Sequence, residues 1–308
     1  MRNAFIKKLE ELAEQDKDLI LLSPDLGYKV LDDFKEKFPK QFLNTGVSEA
    51  NTMGMAAGLA KDGKKVFVYS IIPFLTMRPY EQIRNDICYH NLNVKLVGVG
   101  AGYSYGDQGT THHAVEDIGV MRIQPNMKVV CPGDPIEAGK ATSALYLSDG
   151  PGYMRLGKAG EKILHREDLD FKLGKAIKMR EGKDLTLIAT GNMLETALEV
   201  ADKMHREGLS SQVLSMHTVK PLDTEAIYKA ADETSRIYTL EEHSKIGGLG
   251  SAVAEALTEY DGRIRHKMFG VKDQFFHISG TQQYLRGLND LSPDQIYEAI
   301  KTDVAFVK

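Results

Sequence analysis

Continuous apolar runs, each followed by a helical pattern, constrain this chain more than any other feature. Leu19–Leu22, Val66–Ile71, Val94–Val99, Lys128–Cys131 and Gly152–Leu156 read as buried strands, because they lack the polar alternation of a half-exposed strand. Helical patterns lie between them at Asn51–Ala60, Tyr80–Tyr89, Asp117–Arg122 and Pro135–Leu147. Strands of this kind separated by helices imply a parallel sheet covered on both faces. From Gly157 to Lys183 the chain changes character, with alternating charges, glycines and few apolar residues. The alternation then resumes, with strands at Leu185–Ala189, Gln212–Met216, Arg236–Leu240 and Lys267–Gly270. Its helices fall at Leu194–Arg206, Thr224–Ala231, Leu249–Glu259 and Pro293–Ile300. The expectation is an α/β protein of two doubly wound domains: a larger parallel-sheet domain over 1–165, a linker over 166–183, and a smaller α/β domain over 184–308.

A chain of 308 residues with 42% hydrophobic content can fill two such cores. The formal net charge of −4 argues against a general nucleic-acid binder, although a local basic cluster can still attract small anions. Cys88 and Cys131 sit in apolar contexts and offer no disulfide framework, which fits a reducing cytoplasm. Residues 1–18 lack the apolar core of a signal peptide; Phe5, Ile6, Leu9, Leu12 and Ala13 instead share one helical face. No stretch is long and apolar enough to cross a bilayer, so a soluble cytoplasmic protein without a membrane partner is expected.

Two segments carry candidate chemistry. Glu49, in Asn44-Thr45-Gly46-Val47-Ser48-Glu49-Ala50, sits where a short apolar stretch gives way to a small-residue helix. Ligand sites of parallel sheets gather at such strand–helix turns, but carboxylates also favour helix N-termini for electrostatic reasons alone. The second segment runs from Val97 to Glu116 and has glycines at 98, 100, 102, 106 and 109, ending in Thr110-Thr111-His112-His113. Its glycines let backbone approach a ligand closely. His112 and Glu116 would share a face if helical, yet no further His, Cys or Asp cluster has supporting spacing, so no metal ligand is assigned. A glycine loop with capping threonines and a solvated histidine pair is the plainer alternative.

The order of motifs adds what no single one supplies. Gly106-Asp107-Gln108-Gly109-Thr110-Thr111-His112 resembles the Asp-Gly-Pro-Thr-His signature of the transketolase family, which includes deoxyxylulose-phosphate synthases. Arg122-Ile123-Gln124-Pro125-Asn126-Met127 and Pro132-Gly133-Asp134 are similar to the family's next segment. Gly46-Val47-Ser48-Glu49, Phe74-Leu75 and Tyr80 resemble its activating glutamate and aromatic platform. Thr239-Leu240-Glu241-Glu242-His243 and Gly247-Gly248-Leu249-Gly250-Ser251 are similar to its C-terminal domain. The family's Gly-Asp-Gly motif, which holds the metal on the cofactor diphosphate, is not found in the chain. The resemblance therefore implies the C-terminal, pyrimidine-binding subunit of a split transketolase. Thiamine diphosphate would be bound here by its pyrimidine end, with Mg²⁺ or Ca²⁺ held by an N-terminal partner subunit. An α₂β₂ assembly, or a β₂ dimer of this chain alone, is expected.

The same resemblance implies residue roles. Glu49 would relay a proton at the pyrimidine N1′ atom, and His112 would contact substrate oxygens and assist proton transfer. Phe74, Tyr80, Ile72 and Met77 would line the pyrimidine slot, with Met77 standing where the family has a second aromatic residue. Asp25 would lie near the cofactor, although a turn-forming role serves equally. Arg2, Lys29 and Arg155 would bind substrate phosphate. Gln108 stands where the family has an Asp that reads a sugar hydroxyl, and His113 has no counterpart. Half of a deoxyxylulose-phosphate synthase, the β subunit of a 2-oxoacid dehydrogenase decarboxylase, and a regulatory or assembly subunit are the competing readings.

Overall fold

The computed structural model describes residues 1–234 and 236–305. The first apolar runs form strands β1 (Leu19–Ser23), β2 (Phe42–Asn44), β3 (Lys65–Ile71), β4 (Val94–Val99), β5 (Lys128–Val130) and β6 (Gly152–Leu156). They pair in parallel in the order β5-β6-β4-β3-β1-β2. From β1 the chain first steps outward to β2 and then crosses back to β3, so connections lie on both faces. The two-residue period of β3 divides its side chains. Phe67 and Tyr69 pack with Phe5, Leu9, Ala138 and Leu145 of the helices Arg2–Gln15 and Pro135–Leu147. Val66 and Val68 pack oppositely, with Met53, Ala56, Ile83 and Met121. Every residue of β4 and of β6 is buried, including Lys95 and Arg155, which interrupt their otherwise apolar sequences.

The second sheet contains β7 (Ile177–Arg180), β8 (Leu185–Ala189), β9 (Ser211–Ser215), β11 (Arg236–Ser244) and β12 (Arg265–Val271), in the order β12-β11-β8-β9-β7. All its pairings are parallel except β7 with β9. The helices Met193–Arg206 and Pro293–Ala305 share one core, and Thr224–Glu233 shares the other with Leu249–Leu257.

Two strands depart from the expected division. Ile177–Arg180 lies within the expected linker, yet it forms an antiparallel edge strand; only one of its sides needs covering, so its apolar signal is short. β10 (Thr218–Lys220) belongs by sequence to the second domain but pairs antiparallel with β5 of the first sheet. The segment just before the linker is pinned as well. Asp134 Oδ2 accepts from the backbone N–H groups of Leu164 and His165, both at 2.8 Å. The helix expected over Tyr80–Tyr89 is a short α-turn, Tyr80–Gln82, continued by the π-helical segment Ile83–Cys88. Both cysteines are free and buried. Among the described residues no helix is long and apolar enough to cross a membrane.

Candidate active site

The C-terminal ends of the parallel strands deliver a row of side chains in the order of the sheet. After β2, Gly46 takes a positive φ of 71° and the chain turns into the helix Glu49–Lys61, whose first residue is Glu49. Its carboxylate is only 6% exposed and accepts from Arg78 Nη1 at 2.8 Å. The guanidinium of Arg78 lies over the Phe74 ring, 4.2 Å from its centroid. Phe74, on the short helix Ile72–Thr76 that follows β3, meets His112 edge to face at 5.0 Å between centroids. His112 in turn lies 6.2 Å from Tyr105, again edge to face, in the loop that follows β4. Lys158, beyond the end of β6, has its ammonium 4.7 Å from the centre of the Tyr105 ring and 3.8 Å from Asp107.

The glycine loop folds back so closely that side chains are excluded at several points, two of them at positive φ. Gly100, with φ of 98°, faces the Tyr105 ring, and Gly102, with φ of 60°, faces the Glu242 carboxyl, each without room for a Cβ. Ile72 is fully buried with Ala101 and Ala114, and so forms the floor beneath the loop. His113 is buried edge-on against Tyr103 at 5.0 Å and supports the loop. Burial lowers the pKa of His112 from its ordinary value; Asp107 opposes the shift and Arg78 reinforces it. A neutral imidazole can donate and accept at once, which suits contact with substrate hydroxyls and carbonyls.

The other expected site residues occupy varied surroundings. Asp25, at a φ of 53°, is held by Asn44, which donates to its carboxylate at 2.9 Å and accepts its N–H at 3.2 Å. Met77 is 39% exposed beside Arg78. The Tyr80 hydroxyl donates to Val120 O at 3.0 Å and also meets Gln124, so its polar end is turned to the helix Asp117–Arg122. Lys29 is exposed with a φ of 64°, its ammonium 5.7 Å from the Tyr28 ring centre. Gln108 is exposed and donates to Asp107 at 3.3 Å. Arg2 is half-buried with an unpartnered Nε; its charge lowers the Tyr105 phenol pKa against the upward push of burial.

Arg155 corrects the sequence reading. It is 2% exposed, and its Nε donates to Asp117 Oδ2 at 2.7 Å while Nη2 donates to Ala114 O at 2.7 Å and Glu242 O at 3.0 Å. Tyr153 donates to the same Asp117 oxygen at 2.6 Å. An arginine inside a fully buried strand must be paired, and this one ties the two sheets together instead of facing a phosphate. The cation that the β6 loop does present is Lys158, 40% exposed and three positions later. No site role was read from the sequence for Lys158, Arg78 or Tyr105. The available signal was position: Lys158 follows the strand's C-terminal end, where ligands of parallel sheets bind.

The planar guanidinium of Arg78 lies over Phe74 and donates to Glu49, so these two side chains hold a flat, nitrogen-bearing group between them. Among the described residues no group of three or more His, Cys, Asp or Glu is placed to hold a metal ion.

Comparison with known proteins is consistent along nearly the whole chain. Residues 1–160 match the transketolase pyrimidine-binding domain, and residues 174–296 match the transketolase C-terminal domain. The chain is 41% identical to an apulose-4-phosphate transketolase subunit of Phocaeicola vulgatus, over 89% of this chain and 88% of that one. It is 37% identical to the 6-deoxy-6-sulfo-D-fructose transketolase subunit SqwH of a Clostridium species, over 97% and 92% of the two chains. Among solved structures, a split-gene transketolase described as an inactive β₄ tetramer superposes with a TM-score of 0.90 at 37% identity, covering 98% of this chain and 97% of the other.

Proposed function

The chain belongs to the transketolase family, and from that premise we propose that it is the pyrimidine-binding subunit of a two-chain, thiamine-diphosphate-dependent transketolase. When bound, the cofactor would supply the nucleophilic carbon that takes a two-carbon ketol unit from a ketose phosphate and gives it to an aldose. The observation that carries this reading is the row Glu49–Phe74–His112, assembled from three different strand ends at one edge of the sheet.

Each residue then has a defined task. Glu49 holds and passes the proton at the pyrimidine N1′ atom. Phe74 provides the apolar face against which the ring lies. Ile72 fixes the height of the loop, and with it the position of His112. His112, mainly neutral near pH 7, hydrogen-bonds substrate oxygens. Lys158 and Arg2, both close to Tyr105, form the basic end of the site and receive the substrate phosphate. Gln108 and Asp107, linked to each other, read a sugar hydroxyl.

The diphosphate and its Mg²⁺ or Ca²⁺ would be held by an N-terminal partner chain in an α₂β₂ complex. Support comes from the relatives, which are named as subunits, and from the inactivity ascribed to the β₄ tetramer. The test is to reconstitute the chain with a transketolase N-terminal subunit. Thiamine diphosphate and a ketose phosphate with an aldose acceptor are supplied in one reaction, and pyruvate with an aldehyde in another. Ketol transfer with the first pair only is expected. Turnover of pyruvate alone would assign the chain to a synthase-type reaction, and full activity without a partner would remove the two-chain reading.

A further inference from the structure

The contact between Arg78 and Glu49 occupies the place where the chemistry assigned to Glu49 would put a ring nitrogen. An arginine side chain only donates hydrogen bonds, so Arg78 Nη1, 2.8 Å from Glu49 Oε1, occupies an acceptor position on that carboxyl group. Passing a proton to a ring nitrogen requires the same group to face that nitrogen instead. The two partners also claim the same surface, because the Arg78 guanidinium covers the Phe74 face at 4.2 Å. An aminopyrimidine and a guanidinium share the relevant features: both are flat, both stack on an aromatic face, and both present nitrogen at the rim. Arg78 is free to leave, since it is 51% exposed and projects from the turn Met77-Arg78-Pro79, so its departure opens no cavity in the core.

We propose that Arg78 is an internal stand-in for the pyrimidine: it closes the slot between Phe74 and Glu49 in the subunit without cofactor, and swings out as the ring enters. This inference rests on the assignment of that slot to thiamine diphosphate. Three consequences follow from the geometry. The slot stays closed to water, Glu49 keeps a partner while the cofactor is away, and cofactor binding carries the cost of breaking one ion pair and one cation–π contact.

The test compares wild-type and Arg78→Ala chains, each assembled with the N-terminal subunit, by calorimetric titration with thiamine diphosphate and Mg²⁺. Removing a competitor of this kind tightens binding by about three- to tenfold, given the size of half-exposed ion pairs and cation–π contacts. Arg78→Lys, which keeps the charge but loses the flat face, should fall between the two. Unchanged or weaker binding by Arg78→Ala, with normal wild-type binding, overturns the stand-in and leaves the slot assignment intact. Absence of thiamine diphosphate binding by the wild-type complex overturns both. A cofactor-bound structure in which Arg78 still pairs with Glu49 also overturns it.

Discussion

Phe74 and His112 leave different strands and meet edge to face, with ring centroids 5.0 Å apart and planes at 74°. The histidine is therefore held against the Phe74 ring. Replacing it with Asn, which keeps some hydrogen bonding, should lower kcat/KM about 10²-fold in the reconstituted enzyme. The sign of the pH effect follows from burial. The His112 pKa lies below its ordinary value of 6.5, so the neutral form persists to more acid pH and is lost only below that value. The acid limb of the kcat/KM profile should thus lie below pH 6.5, and it should flatten in His112→Asn. An unchanged profile would show that another group sets it.

Glu49→Gln preserves shape and the first helical turn while removing the transferable proton. Turnover should fall by about 10²–10⁴-fold with little change in thermal unfolding. A variant that retains wild-type kcat would end the relay role of this residue.

The two basic residues of the β6 segment should behave oppositely. Lys158→Ala should raise KM for phosphorylated substrates by about 1.5–3 kcal/mol, the scale of a charged hydrogen bond, and leave KM for unphosphorylated analogues alone. Arg155→Ala should instead lose about 3–5 kcal/mol of stability in urea unfolding, because Asp117 would remain buried without its partner. If Arg155→Ala folds normally and only KM changes, the roles of the two residues are reversed.

The position of these two residues also shows where sequence legibility ends. β4 and β6 were legible because burial on both faces favours a mainly apolar run, interrupted only by Lys95 in the one and Arg155 in the other. The same rule, applied to Arg155, marks it as a buried and paired arginine, whereas the family resemblance implied a phosphate ligand at that position. Glu49, Phe74 and His112 were legible as members of an ordered motif set, and the structure brings them into one row. Arg78 was not, since nothing in Met77-Arg78-Pro79 tells which way a turn residue points. β7 and β10 escaped for a different reason: edge strands of three or four residues carry too few side chains to set up a period.

His165 bears on how the segment after β6 is held. Its Nδ1 is 3.1 Å from Asp134 and its Nε2 is 3.2 Å from Glu137, although neither is aligned as a hydrogen bond. Burial lowers its pKa, but the two carboxylates outweigh this, and the net shift is upward from 6.5. A raised folded-state value stabilises the protein below pH 6.5, and that contribution disappears as pH rises through the folded pKa. His165→Asn should therefore lower Tm more at about pH 5.5 than at about pH 9. A larger effect at the alkaline end would contradict the sign. Asp134 acts in the other direction. Despite burial, His165 and three backbone N–H groups hold its pKa down to about 2 from 3.8, so its contribution is lost only as pH falls through that interval.

The crossing of β10 into the first sheet sets a limit on dissection. Any fragment ending between Gly157 and Lys183 would strip Thr218–Lys220 from Lys128–Val130 and leave a bare hydrogen-bonding border on an otherwise apolar strand. Such a border recruits other chains. The two halves are thus laced rather than merely adjoined, and neither can be expressed alone without an adhesive flank.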